Sequence, residues 1–368
     1  MPYSKEFTGA NITFPSLEEL YLHKMESLEE WLGDVLPSSS SFPCLEKLDI
    51  RYCSKLTIMA PTLFPSLKSL YSFEQNGIPL MSMLARNLES LTFIHIDYCR
   101  GLKFLPQVLL QGNNVLERLQ IIKCFELEAF VANPDQEEEF FLITFLKYWF
   151  RAILCNVLFL NNRAILSHKN SLYEIYISHC PALNSVPDLW GLNSLRMLTI
   201  TGCGSLKSLP DGIQYLPALE EMSIGPFSEE LESFSFPATR SEAEGTQQYF
   251  VSLRVLRIHG WSSLKCLPEQ LQYLTSLKEL SLNLFDSLVA LPEWLGNLAS
   301  LQTLEIHWCK SLMYLPSKQQ MLRLTSLETL EIGACPLLEE RCCSVDSDEG
   351  HKTAHIPNLK IQYPSSSL

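Results

Sequence analysis

Apolar residues recur along the chain in a unit of about 24 residues, S-L-x-x-L-x-I-x-x-C-x-x-L-x-x-L-P. The clearest copy runs from Ser194 to Pro210. Twelve copies begin at Leu17, Leu45, Leu67, Leu91, Leu116, Leu172, Leu195, Leu219, Leu253, Leu277, Leu301 and Leu327. Nine of the eleven intervals between these starts lie within 20–29 residues, the range of leucine-rich repeats. The pattern therefore predicts a repeat protein.

Each unit predicts one short β-strand with a buried side. Leu198 and Ile200 fall on the same side of such a strand, because side chains alternate along it. One unit cannot enclose its apolar residues, so neighbouring strands must pair in a parallel sheet through right-handed crossovers. We predict an α/β fold over residues 1–368: a single leucine-rich-repeat solenoid, a right-handed curved horseshoe with a concave parallel sheet, twelve repeats and a final strand at 356–361.

The ends of several units predict short helices on the convex side. A proline followed by an acidic residue occurs at Pro187-Asp188, Pro210-Asp211, Pro268-Glu269 and Pro292-Glu293. Proline suits the first helical position, and a carboxylate near the helix N-terminus is favoured by the helix dipole. Short helices and irregular turns are therefore expected between the strands.

The cysteines follow the repeat. Seven of the twelve lie eight residues after the first leucine of a unit, at Cys53, Cys99, Cys124, Cys180, Cys203, Cys309 and Cys335. Four other units place Met25, Phe227, Trp261 and Phe285 there. A position that accepts these residue types is buried and apolar, so we interpret the thiols as core residues and not as metal ligands.

Two segments interrupt the repeat. Residues 228–250 are polar and acidic and predict a surface loop, whereas residues 131–169 form a non-repeat, hydrophobic insert. The apolar run from Phe140 to Leu160 approaches transmembrane length. Lys147 and Arg151 lie near its middle, where each costs about 3 kcal/mol in a bilayer, so a membrane is not an expected partner. Two alternatives stay open for this segment. It forms a helix that lies on the repeat array, or it is untranslated genomic sequence wrongly kept in the coding sequence.

The net charge and the N-terminal sequence limit the partners and the cellular compartment that we expect. The net charge of −13, from 28 basic and 41 acidic residues, disfavours nucleic acid as a partner. The first residues lack the apolar core of a signal peptide. We expect a cytoplasmic protein, with the nucleus as a second compartment, in which the cysteines are reduced.

No catalytic constellation is found in the sequence. A nucleotide-binding P-loop needs Gly-Lys, and this dipeptide does not occur. The histidines His351 and His355, with Cys342 and Cys343 upstream, offer a weak zinc alternative, because adjacent cysteines seldom supply two well-placed ligands. We therefore predict a non-enzymatic protein with no cofactor and no metal.

Protein binding is the function that this pattern favours. Aromatic, basic and histidine side chains on outward strand positions have the composition of interface hot spots. The predicted protein-binding residues of the concave face are Arg51, Tyr52, His95, Asp97, Tyr98, Lys123, Tyr176, His179, Arg257, His259, Glu305, His307 and Trp308. Strand propensity alone is the alternative explanation for the aromatic residues among them.

Three segments stand out from a generic repeat. Phe14–Trp31 reads F-P-S-L-x-x-L-x-L-x-x-M-x-x-L-E-E-W, Leu291–Pro316 begins with L-P-E-W-L-G-N-L, and Cys335–Ile361 has the pattern of a closing turn and a last strand. In these motifs the chain resembles the leucine-rich-repeat region of plant intracellular disease-resistance proteins, which carry a nucleotide-binding NB-ARC domain. The similarity covers nearly the whole chain except 131–169.

The resemblance implies a sensor or autoinhibitory module of plant defence. Its expected partners are a pathogen effector, a guarded host protein or an NB-ARC domain in the same or another chain. The NB-ARC domain itself is not seen in this sequence, so a fragment of a longer protein is expected. The alternative function is the substrate receptor of a ubiquitin ligase, which would need an F-box.

Overall fold

The computed structural model describes residues 14–31, 42–56, 58–59, 64–77, 80, 84, 90–110, 115–131, 171–234, 236–237, 249–343 and 347–362. The chain divides into two compact units. Unit 1 comprises Met1–Cys124 and Val131–His168, and unit 2 comprises Phe125–Phe130 and Lys169–Leu368.

Unit 1 contains five described five-residue strands that pair in parallel, in sequence order. They are β1 (Glu19–His23), β2 (Lys47–Arg51), β3 (Ser69–Phe73), β4 (Phe93–Asp97) and β5 (Arg118–Ile122). Shorter strands at Glu30–Trp31 and Ile58–Met59 pair with each other, also in parallel. A short strand at Phe104–Pro106 leads into a 3-10 helix at Gln107–Leu109. A further short strand, Ala129–Val131, has its first two residues assigned to unit 2 and its last to unit 1.

Unit 2 contains eight described strands in the same parallel arrangement. They are β6 (Glu174–Ser178), β7 (Met197–Thr201), β8 (Glu221–Gly225), β9 (Val255–His259), β10 (Glu279–Asn283), β11 (Thr303–His307), β12 (Thr329–Gly333) and β13 (Asn358–Gln362). The crossovers carry 3-10 helices at Ile213–Tyr215, Glu269–Tyr273 and Glu293–Asn297 and the helix α1 (Lys318–Met321). Two further helices, α2 (Pro336–Cys343) and α3 (Asp348–Thr353), precede the last strand.

The alternation of strand residues builds the core. In unit 2 the second residue of each of the first seven strands is at most 1% exposed, and these residues are Ile175, Leu198, Met222, Leu256, Leu280, Leu304 and Leu330. Each is paired in register with its counterpart on the next strand, so the apolar residues of successive repeats stack directly. Burying a leucine contributes about 1.5–3 kcal/mol, and stacking lets every repeat bury its leucines against its neighbours.

The predicted fold class is confirmed. Each of the twelve predicted units holds a strand that begins two residues after its first leucine, and a thirteenth strand begins at Asn358. 3-10 helices begin directly after Pro268 and directly after Pro292, and a third begins at Ile213, three residues after Pro210. The segment after Pro187 forms turns without a helix. That the whole of 1–368 is one solenoid stays a prediction, and the predicted insert lies outside the described residues apart from Val131.

The ends of the segment predicted as an acidic loop contain buried aromatic residues. Phe234, Phe236 and Phe250 are at most 7% exposed. The ring centroids of Phe234 and Trp261 lie 6.1 Å apart, and those of Phe236 and Phe250 lie 5.4 Å apart. Phenylalanines therefore anchor both ends of the 228–250 segment in unit 2, while residues 238–248 lie outside the described residues.

The seven repeat-position cysteines are buried free thiols. Several donate to a carbonyl two residues earlier, as Cys203 Sγ does to Thr201 at 3.5 Å and Cys309 Sγ does to His307 at 3.4 Å. Burial raises the pKa of Cys203 to about 12, so this thiol remains protonated. Within the part of the chain that the structure describes, no helix has the length and apolar character needed to cross a bilayer.

Candidate protein-interaction face

The residue directly after a strand has a left-handed backbone in ten described repeats, and in one of them it is a glycine, Gly202, with φ at 66°. Its φ lies between 49° and 63° in Lys24, Tyr52, Glu74, Tyr98, Lys123, His179, Leu284, Trp308 and Ala334. Its N–H still continues the ladder: Tyr52 donates to the Phe73 carbonyl at 3.1 Å, and Trp308 to the Gly333 carbonyl at 2.9 Å. Strict alternation would turn this side chain into the core, but the positive φ directs it outward. Trp308 is consequently 58% exposed.

We call the outward side chains of the strands, together with the residues that follow them, the sheet face. All thirteen predicted binding residues lie on it, and none of them is buried. Unit 1 holds Arg51, Tyr52, His95, Asp97, Tyr98 and Lys123. Unit 2 holds Tyr176, His179, Arg257, His259, Glu305, His307 and Trp308. That these residues bind a protein stays a prediction.

Aromatic rings form two connected groups on the sheet face of unit 1. In one group, Tyr52 lies 5.0 Å from Phe73 and 5.5 Å from His23, measured between ring centroids, with edge-on geometry in both pairs. In the other, Tyr71 lies 5.1 Å from Phe93 and 5.9 Å from His95. Such pairs contribute about 0.5–1.5 kcal/mol each beyond their buried area, so the rings are held in place before any partner arrives.

Two basic side chains of the same face lie over aromatic rings. Lys47 Nζ lies 4.9 Å from the ring centroid of Tyr21 and 5.3 Å from that of Tyr71, and it donates to Tyr21 Oη at 2.9 Å. That hydrogen bond raises the pKa of Lys47, which stays charged. The guanidinium of Arg118 lies 4.5 Å from the ring centroid of Phe93. We call Tyr21, Tyr52, Tyr71, Phe73 and Phe93, with Lys47 and Arg118, the aromatic-cation surface.

Most of the aromatic-cation surface was missed by sequence reasoning. The prediction included Tyr52 but not Tyr71, Phe73 or Lys47. Lys47 and Phe93 begin their strands, a position that the predicted columns left out. The aligned repeats could have identified these residues, because the first, third and fifth residues of each five-residue strand point outward.

Two predicted residues of unit 1 are engaged with neighbours on the same sheet face. Arg51 forms a two-pronged ion pair with Asp49, at 2.6 Å and 2.7 Å, which leaves the Asp49 carboxylate almost fully buried. His95 Nδ1 lies 2.9 Å from Gln120 Oε1. Arg51 and His95 therefore already have partners on their own face.

The sheet face of unit 2 is richer in serine and threonine hydroxyls and poorer in basic residues than that of unit 1. Arg257 bridges two neighbouring strands, with its guanidinium 2.7 Å from Glu279 and 3.4 Å from Glu221. His259 Nε2 lies 3.5 Å from Ser223 Oγ, and burial, reinforced by the charge of Arg257, lowers the pKa of His259. The imidazole is therefore neutral near pH 7.

The far end of this face combines glutamates with an exposed indole. Glu305 and Glu331 are register partners on β11 and β12. Glu331 lies 3.5 Å from Lys360 and 3.9 Å from His307. Trp308 comes directly after His307, the last residue of β11, and its side chain is exposed on the same face.

The weak zinc alternative receives no geometric support. No group of three or more candidate metal ligands occurs among the described residues. His355 Nε2 lies 3.2 Å from the Met321 carbonyl, within hydrogen-bonding distance.

The parallel register, the 24-residue period and the left-handed residue after the strand define a leucine-rich-repeat fold. No family model matches the chain. A putative disease resistance RPP13-like protein 1 of Arabidopsis thaliana is 28% identical over 141 residues, which cover 31% of this chain and 13% of that protein. The chain thus spans only a small part of that relative's length.

Solved leucine-rich-repeat structures are similar in fold. The repeat domain of the type III effector XopL is 22% identical, with a TM-score of 0.38, covering 62% of this chain and 86% of that one. A leucine-rich-repeat protein of Leptospira interrogans is 17% identical, with a TM-score of 0.36, covering 96% and 93%. TLR13, solved in complex with ssRNA13, is 17% identical, with a TM-score of 0.30, covering 87% and 57%. The fold assignment rests on the strands and their register, not on these similarities.

Proposed function

We propose that this chain is a protein-recognition module of plant immunity, a sensor or autoinhibitory element that acts inside the cell. The observation that carries the recognition role is the aromatic-cation surface of unit 1, because tyrosine, phenylalanine and arginine are enriched where protein interfaces form. The role in immunity is supported by the similarity to the disease-resistance protein. The partners we propose are a pathogen effector, a guarded host protein or an NB-ARC domain.

An NB-ARC domain offers the most direct test. The full chain would be co-expressed with an NB-ARC domain from a plant intracellular disease-resistance protein and purified by a tag on this chain. We expect the domain to co-purify, and the Tyr52→Ala/Tyr71→Ala variant to bind it at least tenfold more weakly, because hot-spot truncation typically costs 1–2 kcal/mol or more.

Two exposed aromatic residues in the crossovers provide the matched control. Trp190 and Tyr215, which stack at 4.3 Å and are 54% and 40% exposed, lie off the sheet face. The Trp190→Ala/Tyr215→Ala variant should bind normally. Equal loss in both variants would contradict recognition through the aromatic-cation surface, and no binding by the unaltered chain would exclude the NB-ARC domain as its partner. Co-purification of a Skp-type adaptor instead would favour the ubiquitin-ligase alternative.

A further inference from the structure

The strands of unit 2 carry an uneven charge on their outward side. The outward glutamates are Glu174, Glu221, Glu279, Glu305 and Glu331, against two basic residues, Arg257 and Lys360. We propose that the part of this face around Glu305 and Trp308 binds a basic segment of a partner polypeptide, one that places an arginine beside an apolar residue. The inference rests on the proposed recognition role and specifies the chemistry of one partner surface.

Two glutamates of adjacent strands bring like charges together at this place. Glu305 and Glu331 face each other across adjacent strands, an arrangement in which like charges repel. Lys360 lies 3.5 Å from Glu331 but is 61% exposed, so its compensation is weakened by water. Glu305 forms no ion pair with another described residue. A cation from a partner would relieve the repulsion and gain attraction from both carboxylates.

The same face already holds a guanidinium of the chain itself. Arg257 lies between Glu221 and Glu279, which come from the strands on either side of its own. Its side chain remains 38% exposed, which shows that carboxylates projecting from these strands can bind a guanidinium at the surface. Planar guanidinium groups match carboxylates in geometry as well as in charge, so arginine is favoured over lysine.

Two exposed apolar side chains lie on the same face as the glutamates. Leu284 and Trp308 follow β10 and β11 and are 45% and 58% exposed. The Leu284 N–H donates to the carbonyl of His307, so the two residues project side by side from neighbouring repeats. Trp308 follows His307 with a left-handed backbone, so its side chain projects to the same side of the sheet as that of Glu305. Side chains two residues apart lie on one face of an extended peptide, so a segment with an arginine and a leucine two residues apart presents both to this face.

The experiment uses the full chain and a labelled twelve-residue peptide in which each arginine is followed, two residues later, by leucine. Binding would be measured by fluorescence anisotropy in about 150 mM salt, where surface attraction beyond about 8 Å is screened. We expect saturable binding that weakens at least tenfold in Glu305→Gln/Glu331→Gln and in Trp308→Ala. The same peptide with lysine in place of arginine should bind more weakly, and one with glutamate should not bind.

The matched control removes two carboxylates from the crossovers, with Asp211→Asn/Glu269→Gln, both exposed in the structure. This variant has the same net charge as the glutamine pair and should bind like the unaltered chain. Equal weakening in both variants, or no binding by the unaltered chain, would overturn the proposal. The recognition role would survive either result if the Tyr52→Ala/Tyr71→Ala variant still lost the NB-ARC domain.

Discussion

At the scale of single residues, neighbours on the sheet face decide the charge state of the side chains. Arg257 illustrates this, because one guanidinium satisfies Glu279 and Glu221 and also disfavours protonation of His259. Lys47 shows the opposite effect, since its hydrogen bond to Tyr21 favours the protonated amine. Positions that look equivalent in the repeat therefore differ in chemistry.

His259 gives a pH prediction at this scale. Its pKa in the folded chain lies below the ordinary value of 6.5, mainly because the ring is partly buried. The unfolded chain therefore takes up this proton first as the pH falls, so the free energy of unfolding should decrease below about pH 6.5. Urea titrations between pH 7.5 and 5 should show a shallower pH dependence in His259→Asn. An unchanged slope in the variant would contradict the assignment.

At the scale of the repeat, the strands and the outward position of the residue after them were both predicted, but the left-handed backbone that exposes this residue was not. The period of the leucines places each strand because one register alone buries Leu198 and Ile200 together. The residue after the strand breaks the alternation because its φ is positive. Glycine is the residue that usually adopts a positive φ, so a tyrosine at 52 or a tryptophan at 308 gives no sign of this conformation in the sequence. Tyr52, Tyr98, Lys123, His179 and Trp308 are exposed or partly so for this reason.

Ala334 tests the energetic cost of this conformation. With φ at 54° it pays a penalty that glycine avoids, so Ala334→Gly should stabilise the chain by about 0.5–1 kcal/mol. Chemical denaturation would measure the change. Ala299, exposed in a turn and without positive φ, is the control, and Ala299→Gly should give no gain. Equal effects at both positions would show that the left-handed backbone costs nothing here.

At the scale of the whole molecule, one repeat supports two different surfaces. The sheet face of unit 1 carries rings and paired charges, whereas that of unit 2 carries glutamates and hydroxyls. The shared leucines predict the common core, but the outward residues follow no period. The buried phenylalanines at 234, 236 and 250 escaped prediction for a related reason: their acidic flanks are typical of a loop.

The reactivity of the cysteine thiols tests which of the described cysteines are buried in the core. Cys44, Cys266 and Cys343 are exposed, whereas the other eight described cysteines are buried. Brief labelling of the native chain with a thiol reagent, followed by peptide mass spectrometry, should modify those three first. Cys203 should react only after denaturation, because its thiol is enclosed and its pKa is raised to about 12. Modification of Cys203 as fast as Cys266 would contradict the burial of the repeat cysteines.

The left-handed residue after the strand has an evolutionary consequence. Its hydrogen bond uses only the main chain, and its side chain takes no part in the interior, so lysine, tyrosine, glutamate, histidine, leucine, tryptophan and alanine all occupy it in this one chain. A single codon change there can alter what the surface binds while the scaffold folds as before. Each added repeat thus supplies another site at which new specificity can arise by point mutation.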